Sequence, residues 1–155
     1  MRRNPDPIVT RLETSPFFNN FSETEIDTLA KNDSAFVTFR KESFICKEGD
    51  IDQAVFIILS GQVQVSKKTS FGQANIINLK TGSIFGEISL LRKDKRISNV
   101  QALEETMVCK LTPEQIKKMN VQLQVKIKGQ ILNLVIKRYE ILCDKYAELV
   151  NLKSY

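Results

Sequence analysis

Between Phe36 and Leu111 glycines cut the chain into short apolar segments, and this punctuation restricts it to a mainly β fold. Val37 and Phe39 alternate with polar residues, and Phe44-Ile45-Cys46 then leads into a Glu48-Gly49-Asp50 turn. Val55-Phe56-Ile57-Ile58-Leu59 is a continuous apolar run, the pattern of a strand covered on both faces. Ser60-Gly61, Phe71-Gly72 and Thr81-Gly82 separate the segments carrying Val63 and Val65 from those carrying Ile76, Ile77 and Leu79. Val100 to Leu103 and Thr106 to Leu111 supply the last strands. Many short strands joined at Gly49, Gly61, Gly72, Gly82 and Gly86 predict a β-sandwich or jelly-roll barrel.

Both ends of the chain read as helix. Residues 8–33 carry a capping box at Ser22-Glu23-Thr24-Glu25, with Ile26, Leu29 and Ala30 on one helical face. The loop before it, Ser15-Pro16-Phe17-Phe18-Asn19-Asn20-Phe21, is aromatic enough to pin that helix to a core. Thr112-Pro113-Glu114 starts a short helix, with Pro at the first helical position. A long helix follows from about Val121 to Leu152, with a joint expected at Gly129. Val121, Val125, Leu132, Val135, Tyr139, Leu142, Tyr146 and Leu149 recur in three- and four-residue steps, interrupted at Lys128. That is a heptad seam fit for a modest coiled coil. Ile127, Ile131, Leu134, Ile136 and Ile141 widen it, so part of this helix must also pack on the barrel.

Composition excludes several functions. The 155 residues suffice for one domain with a real core. Histidine is absent, which removes Ser-His-Asp and Cys-His catalysis and every His-ligated metal site. No carboxylate pair has a spacing suited to acid–base work, so we expect neither an enzyme nor a metal site. Cys46, Cys109 and Cys143 share no C-x-x-C spacing and read as buried free thiols. The net charge of +5 comes from dispersed lysines and arginines without aromatic interleaving, the signature of a solvated surface rather than a nucleic-acid site. No run is long enough to span a membrane, and no signal-like stretch follows Met1-Arg2-Arg3-Asn4-Pro5-Asp6-Pro7; a cytoplasmic location is expected.

The chemistry concentrates in Phe85-Gly86-Glu87-Ile88-Ser89-Leu90-Leu91-Arg92-Lys93-Asp94-Lys95-Arg96-Ile97-Ser98. A strand ends in a Gly turn and runs into a short helical turn whose first N–H groups lack intrahelical acceptors and favour an anion. Gly86 has no Cβ, so a phosphate can approach the backbone there. Arg96 supplies a planar fork for phosphate oxygens, and Glu87 a carboxylate that accepts from a sugar hydroxyl. Phosphate beside a ribose hydroxyl means a nucleotide.

This segment resembles the phosphate-binding cassette of cyclic-nucleotide-binding domains, found in catabolite-activator-type regulators, regulatory subunits of cAMP-dependent protein kinase and cyclic-nucleotide-gated channels. The likeness rests on Phe85, Gly86, Glu87, Ile88, Ser89, Leu90, Leu91 and Arg96, with Val100 and Ala102 resuming the next strand. It implies an eight-stranded β-roll (a double-stranded β-helix, jelly-roll-like) with N-terminal helices and a long C-terminal helix. The parts would be a helical segment over 1–35, the roll over 36–111 with its cassette at 85–98, and C-terminal helices over 112–155. The resemblance extends over about residues 8–150 and implies a stand-alone ligand domain without a DNA-binding domain.

By the same resemblance, Arg96 pairs with the cyclic phosphate and Glu87 holds the ribose 2′-hydroxyl. Phe85, Gly86, Ile88 and Ser89 complete the cassette, Ile97 and Ser98 add contacts after the arginine, and Ile77 and Leu79 pack on the base. Members that prefer cGMP often carry Thr where Ile97 stands, so cAMP is expected over cGMP. Lys95 and Ile97 depart from the Pro and the small residues usual on either side of the arginine. The implied function is a cAMP sensor whose C-terminal helix closes over the nucleotide, signalling through a homodimer built on residues 121–150 or through another protein. The alternatives are a nucleotide-free interaction module, in which Glu87 and Arg96 pair with each other, and a fragment of a larger transcription regulator or channel.

Overall fold

The computed structural model of the protein describes residues 6–153. The opening residues Met1–Pro5, read above for a leader, and Ser154 and Tyr155 lie outside the described residues. The eight strands are β1 (Phe36–Phe39), β2 (Phe44–Cys46), β3 (Val55–Ser60), β4 (Gln62–Thr69), β5 (Gly72–Lys80), β6 (Ile84–Phe85), β7 (Asn99–Ala102) and β8 (Thr106–Leu111). They form two antiparallel four-stranded sheets, in the orders β1-β8-β3-β6 and β2-β7-β4-β5. The helices are α1 (Pro7–Thr14), α2 (Glu23–Ala30), α3 (Glu87–Arg92), α4 (Pro113–Lys118) and α5 (Val121–Leu152). This is the β-roll with flanking helices that the strand pattern and the resemblance imply.

The apolar run of β3 has a simple cause: it serves two cores. Val55, Ile57 and Leu59 face one cluster, with Leu12, Phe17, Phe18 and Ile26 from the N-terminal segment and Leu123, Ile127 and Ile131 from α5. Phe56 and Ile58 face the other way, into the roll, with Val63, Leu79, Phe85, Val100 and Val108. Alternating side chains on a strand point to opposite faces, so a strand between two cores has no polar position to spare. Cys109 and Val108 on β8 split between the clusters in the same way.

Local signals set the helix boundaries. Ser22 and Glu25 form the expected reciprocal capping box, and Thr112 with Gln115 forms a second around Pro113. Phe17 and Phe18 lie in a short 3₁₀ turn and are fully buried, which fixes α1 and α2 to the roll. Asn120 caps α5 by accepting from the Leu123 N–H.

The joint expected at Gly129 does not exist: α5 is continuous from Val121 to Leu152. Gly costs roughly 1 kcal/mol against Ala within a helix. Here Ile127 and Ile131, on either side of it, are both buried against the core, and that packing holds the helix straight through. The two faces of α5 differ sharply. Leu123, Ile127 and Ile131 point inward, whereas Val121, Val125, Leu132, Tyr139, Leu142, Tyr146 and Leu149 are exposed. From Tyr139 to Leu152 every residue is exposed, so roughly 20 Å of helix projects beyond the roll.

Candidate functional site

Gly86 sits at φ +81°, ψ 0°, between the end of β6 and the first turn of α3. That left-handed conformation, open to Gly at little cost, swings the chain from strand to helix and places Glu87 at the helix start. No side chain caps α3. The segment from Asp94 returns past α3: the Ser89 hydroxyl donates to Lys95 O, and the Asp94 N–H to Ser89 O. The Arg96 backbone is then clamped to the β2–β3 turn, donating to Asp50 O and accepting from the Gly49 N–H at 2.8 Å each.

This clamp brings Arg96 inward, leaving it 4% exposed. Its Nη1 donates to Gly86 O at 3.0 Å, and its Nη2 to Ala54 O at 2.7 Å and to Asp52 Oδ2 at 3.1 Å. The guanidinium lies 5.5 Å from the centre of the Phe56 ring, which stacks on Phe85. Lys110 Nζ approaches the same Asp52 oxygen at 3.8 Å. Burial pushes the Asp52 carboxyl up, but the Ala54 N–H and the Arg96 guanidinium outweigh it and hold the group below its ordinary value. Arg96 Nε is buried without a hydrogen-bond partner. A buried donor left so costs about 1–3 kcal/mol, and a phosphate oxygen is the acceptor that would remove that cost.

Glu87 is 6% exposed, and its partner comes from α5: Arg138 Nη1 donates to Glu87 Oε1 at 2.8 Å. The second nitrogen, Nη2, donates to Ile84 O. Glu87 and Arg96 therefore do not pair with each other, contrary to the nucleotide-free alternative; each has a different ionic partner.

All ten residues singled out in the sequence line one cavity of about 210 Å³: Ile77, Leu79, Phe85, Gly86, Glu87, Ile88, Ser89, Arg96, Ile97 and Ser98. Cys46, Val65, Lys67, Ile76, Val100 and Arg138 line it as well, and sequence reasoning did not pick them out. Ile76 enters because β5 carries one extra residue there. Val65 pairs with Ile77 and Ser66 with Asn75, so Ile76 has no opposite number, and both isoleucines reach the cavity. Cys46 is buried in the wall, and that burial pushes its thiol up to about 11, against the opposing pull of Arg96. Among the described residues no group of three or more Cys, Asp or Glu side chains is arranged to hold a metal ion.

The profile of the cyclic nucleotide-binding domain family matches residues 36–121, more than half of the chain. The chain belongs to this family. Cyclic nucleotide-gated channel beta-1 of Homo sapiens is 41% identical over 69 residues, covering 43% of this chain and 5% of the channel. The cyclic AMP receptor protein of Thermus thermophilus is 30% identical over 104 residues, covering 66% of this chain and 48% of the receptor. The chain thus spans less than half the length of these relatives. A cyclic nucleotide-binding domain from Methylobacillus flagellatus superposes with a TM-score of 0.76 at 23% identity, covering 89% of this chain and 79% of the other. The matched span, residues 36–121, includes Gly86, Glu87 and Arg96, which line the cavity. No helix among the described residues is long and apolar enough to cross a membrane.

Proposed function

We propose that the chain is a cAMP-preferring sensor, a binding rather than a catalytic protein of the cytoplasm. The observation that carries this reading is the buried fork of Arg96, with its unpartnered Nε, beside a buried carboxylate at a glycine turn. Arg96 and the uncapped N–H groups around Ile88 and Ser89 take the cyclic phosphate. Glu87 accepts from the ribose 2′-hydroxyl. Ile76, Ile77, Leu79, Val65 and Val100 give the base an apolar wall. Ile97 lines the same cavity with no hydroxyl to offer a guanine, which favours adenine.

Arg138 brings α5 to the mouth of the cavity, so α5 acts as the lid and carries occupancy outward. The output depends on how much more tightly the nucleotide binds when α5 is seated than when it is not. Calorimetric titration of the purified chain should give saturable binding of both nucleotides, with cAMP the tighter. Absence of binding for both at millimolar concentration would sink the proposal, and tighter cGMP binding would reverse the base assignment.

The exposed stripe of α5 suits a second copy of the chain. Val121, Val125, Leu132, Tyr139, Leu142, Tyr146 and Leu149 are each more than half exposed on one side of the helix, at heptad spacing. Fourteen residues of lone helix are marginal in water, and pairing supplies the missing burial. Sedimentation of the wild-type chain should show a dimer, and Leu142→Asp with Tyr146→Asp should give a monomer that still binds nucleotide. A monomeric wild type at high micromolar concentration removes the self-pairing and leaves the stripe to a different protein.

A further inference from the structure

Three segments of the chain place two cations three and two residues ahead of a serine: Arg40-Lys41-Glu42-Ser43, Lys67-Lys68-Thr69-Ser70 and Lys95-Arg96-Ile97-Ser98. In sequence they look alike, and the fold sets them apart. Ser43 closes a tight turn, its N–H donating to Arg40 O, with Glu42 at φ +71°. Ala102 grips both residues, its N–H donating to Ser43 O and its carbonyl accepting from the Glu42 N–H. The third segment is shut by Arg96, whose side chain is buried and whose backbone is clamped to Gly49 and Asp50.

The second segment is open. β4 pairs with β7 as far as Ser66 and Asn99, and past that point β4 and β5 run on as a two-stranded ribbon. Beyond Ser66, the outer edge of β4 is held among the described residues through the Lys68 N–H, which donates to Glu48 Oε2 at 3.2 Å. A two-stranded ribbon is marginal by itself, so this end opens at small cost. Ser70 and Phe71 form its tip, and the positive φ of the turn, +114°, falls on Gly72. Thr69 is engaged there: its hydroxyl donates to Gly72 O and accepts from the Phe71 N–H. The Ser70 hydroxyl is exposed and has no hydrogen-bond partner among the described residues. Phe71 is wholly exposed, an aromatic ring that nothing in the domain covers.

We infer that Ser70 is a phosphorylation site for a protein kinase that selects basic substrates. Lys67 and Lys68 lead to it in extended backbone, as cations for acidic groups in the kinase's substrate groove, and Phe71 fits an apolar pocket just beyond the acceptor. An anionic lipid surface also attracts lysine and phenylalanine. Neighbouring strand residues point to opposite faces, however, so a flat surface meets one lysine where an enclosing groove meets both. In the transfer, the Ser70 hydroxyl oxygen bonds to the γ-phosphorus of magnesium-bound ATP. The bond to ADP breaks, ADP leaves with the electron pair, and the hydroxyl proton passes to the kinase's catalytic aspartate. The product is a phosphate dianion at the tip of the ribbon whose inner part, at Lys67 and Ile76, lines the cavity. Ser70 plays this part whichever ligand the cavity takes.

The test incubates the native full chain with radiolabelled ATP, magnesium and the free catalytic subunit of cAMP-dependent protein kinase, which selects paired cations at this spacing. Mass spectrometry locates the phosphate. Synthetic peptides over residues 37–46, 64–73 and 92–101 report the sequence preference without the fold. All three peptides should be phosphorylated, whereas the native chain should take phosphate on Ser70 alone. Ser70→Ala should abolish incorporation, and Lys67→Ala with Lys68→Ala should slow it at least about tenfold, the scale of one lost charged contact. Phosphate on Ser43 or Ser98 of the native chain at a comparable rate overturns the inference, because the fold then selects nothing. Refusal of Ser70 in the native chain or in the 64–73 peptide overturns it as well, as does a rate indifferent to both lysines. Binding to vesicles of anionic lipid that needs Phe71 and both lysines, without phosphate transfer, gives the tip to a membrane instead.

Discussion

Arg96→Ala is expected to lose nucleotide binding and thermal stability together. The sequence alone suggests a loop arginine that could be removed with little harm to folding. The structure places its guanidinium inside, on Ala54 O, Gly86 O and Asp52, with its backbone clamped to Gly49 and Asp50. Truncation leaves two buried carbonyls without these donors and Asp52 with only the more distant Lys110. Asp52 is 44% exposed, so water replaces part of that pairing, and the ion pair adds less than a fully buried one would. The overall cost is about 2–4 kcal/mol, or roughly 5–15 °C in a chain of this length. Phosphate recognition through a charged fork is worth more than one such bond, so affinity should fall about a hundredfold or more. Calorimetric melting and titration well below the midpoint of the variant measure both effects. Arg96→Lys should retain a weak affinity, because one ammonium cannot reproduce the fork. Full retention of affinity in folded Arg96→Ala would remove the phosphate role.

How much of this was legible in the sequence depended on whether a residue's partners lie near it in the chain. β3 was readable because burial on both faces leaves a local trace, five apolar residues in a row. The cassette was readable because Gly86, Glu87 and Ser89 act within one turn, and Arg96 returns within ten residues. Asp52 was not singled out: it meets Arg96 across 44 positions, and a half-exposed Asp in a turn looks like any other. Arg138 follows Lys137 and looks like one more of the dispersed surface charges, although its spacing from Ile127, Ile131 and Leu134 marks the inward face of α5. That signal was available, and an arginine on an apolar face asks for a buried acid. Ile76 could not have been found by alternation, because the extra residue in β5 breaks the two-residue period at that point. The joint at Gly129 failed for the opposite reason, since intrinsic propensity yielded to the packing of the isoleucines flanking it.

Gly86→Ala should be as damaging as the loss of Arg96, and a second glycine shows why. A Cβ at Gly86 would stand 2.5 Å from Arg96 Nη1 and 2.7 Å from Ala54 O. The arginine cannot swing away without giving up Ala54 O and Asp52, and the carbonyl belongs to the backbone entering β3. Gly49 has a similar positive φ, +92°, but nothing lies within 4 Å of the Cβ it lacks. Gly49→Ala therefore carries only the conformational cost of about 1–2 kcal/mol, whereas Gly86→Ala adds overpacking for about 2–5 kcal/mol in all. Chemical denaturation of the two variants separates the contributions, and titration with cAMP should find affinity kept in Gly49→Ala and largely lost in Gly86→Ala. Equal stability loss in both would mean that the cassette yields to the methyl group. The Arg96 fork would then not be held by Gly86 and Ala54 as tightly as its distances require, and the site would lose the rigidity that lets a single glycine turn aim a phosphate.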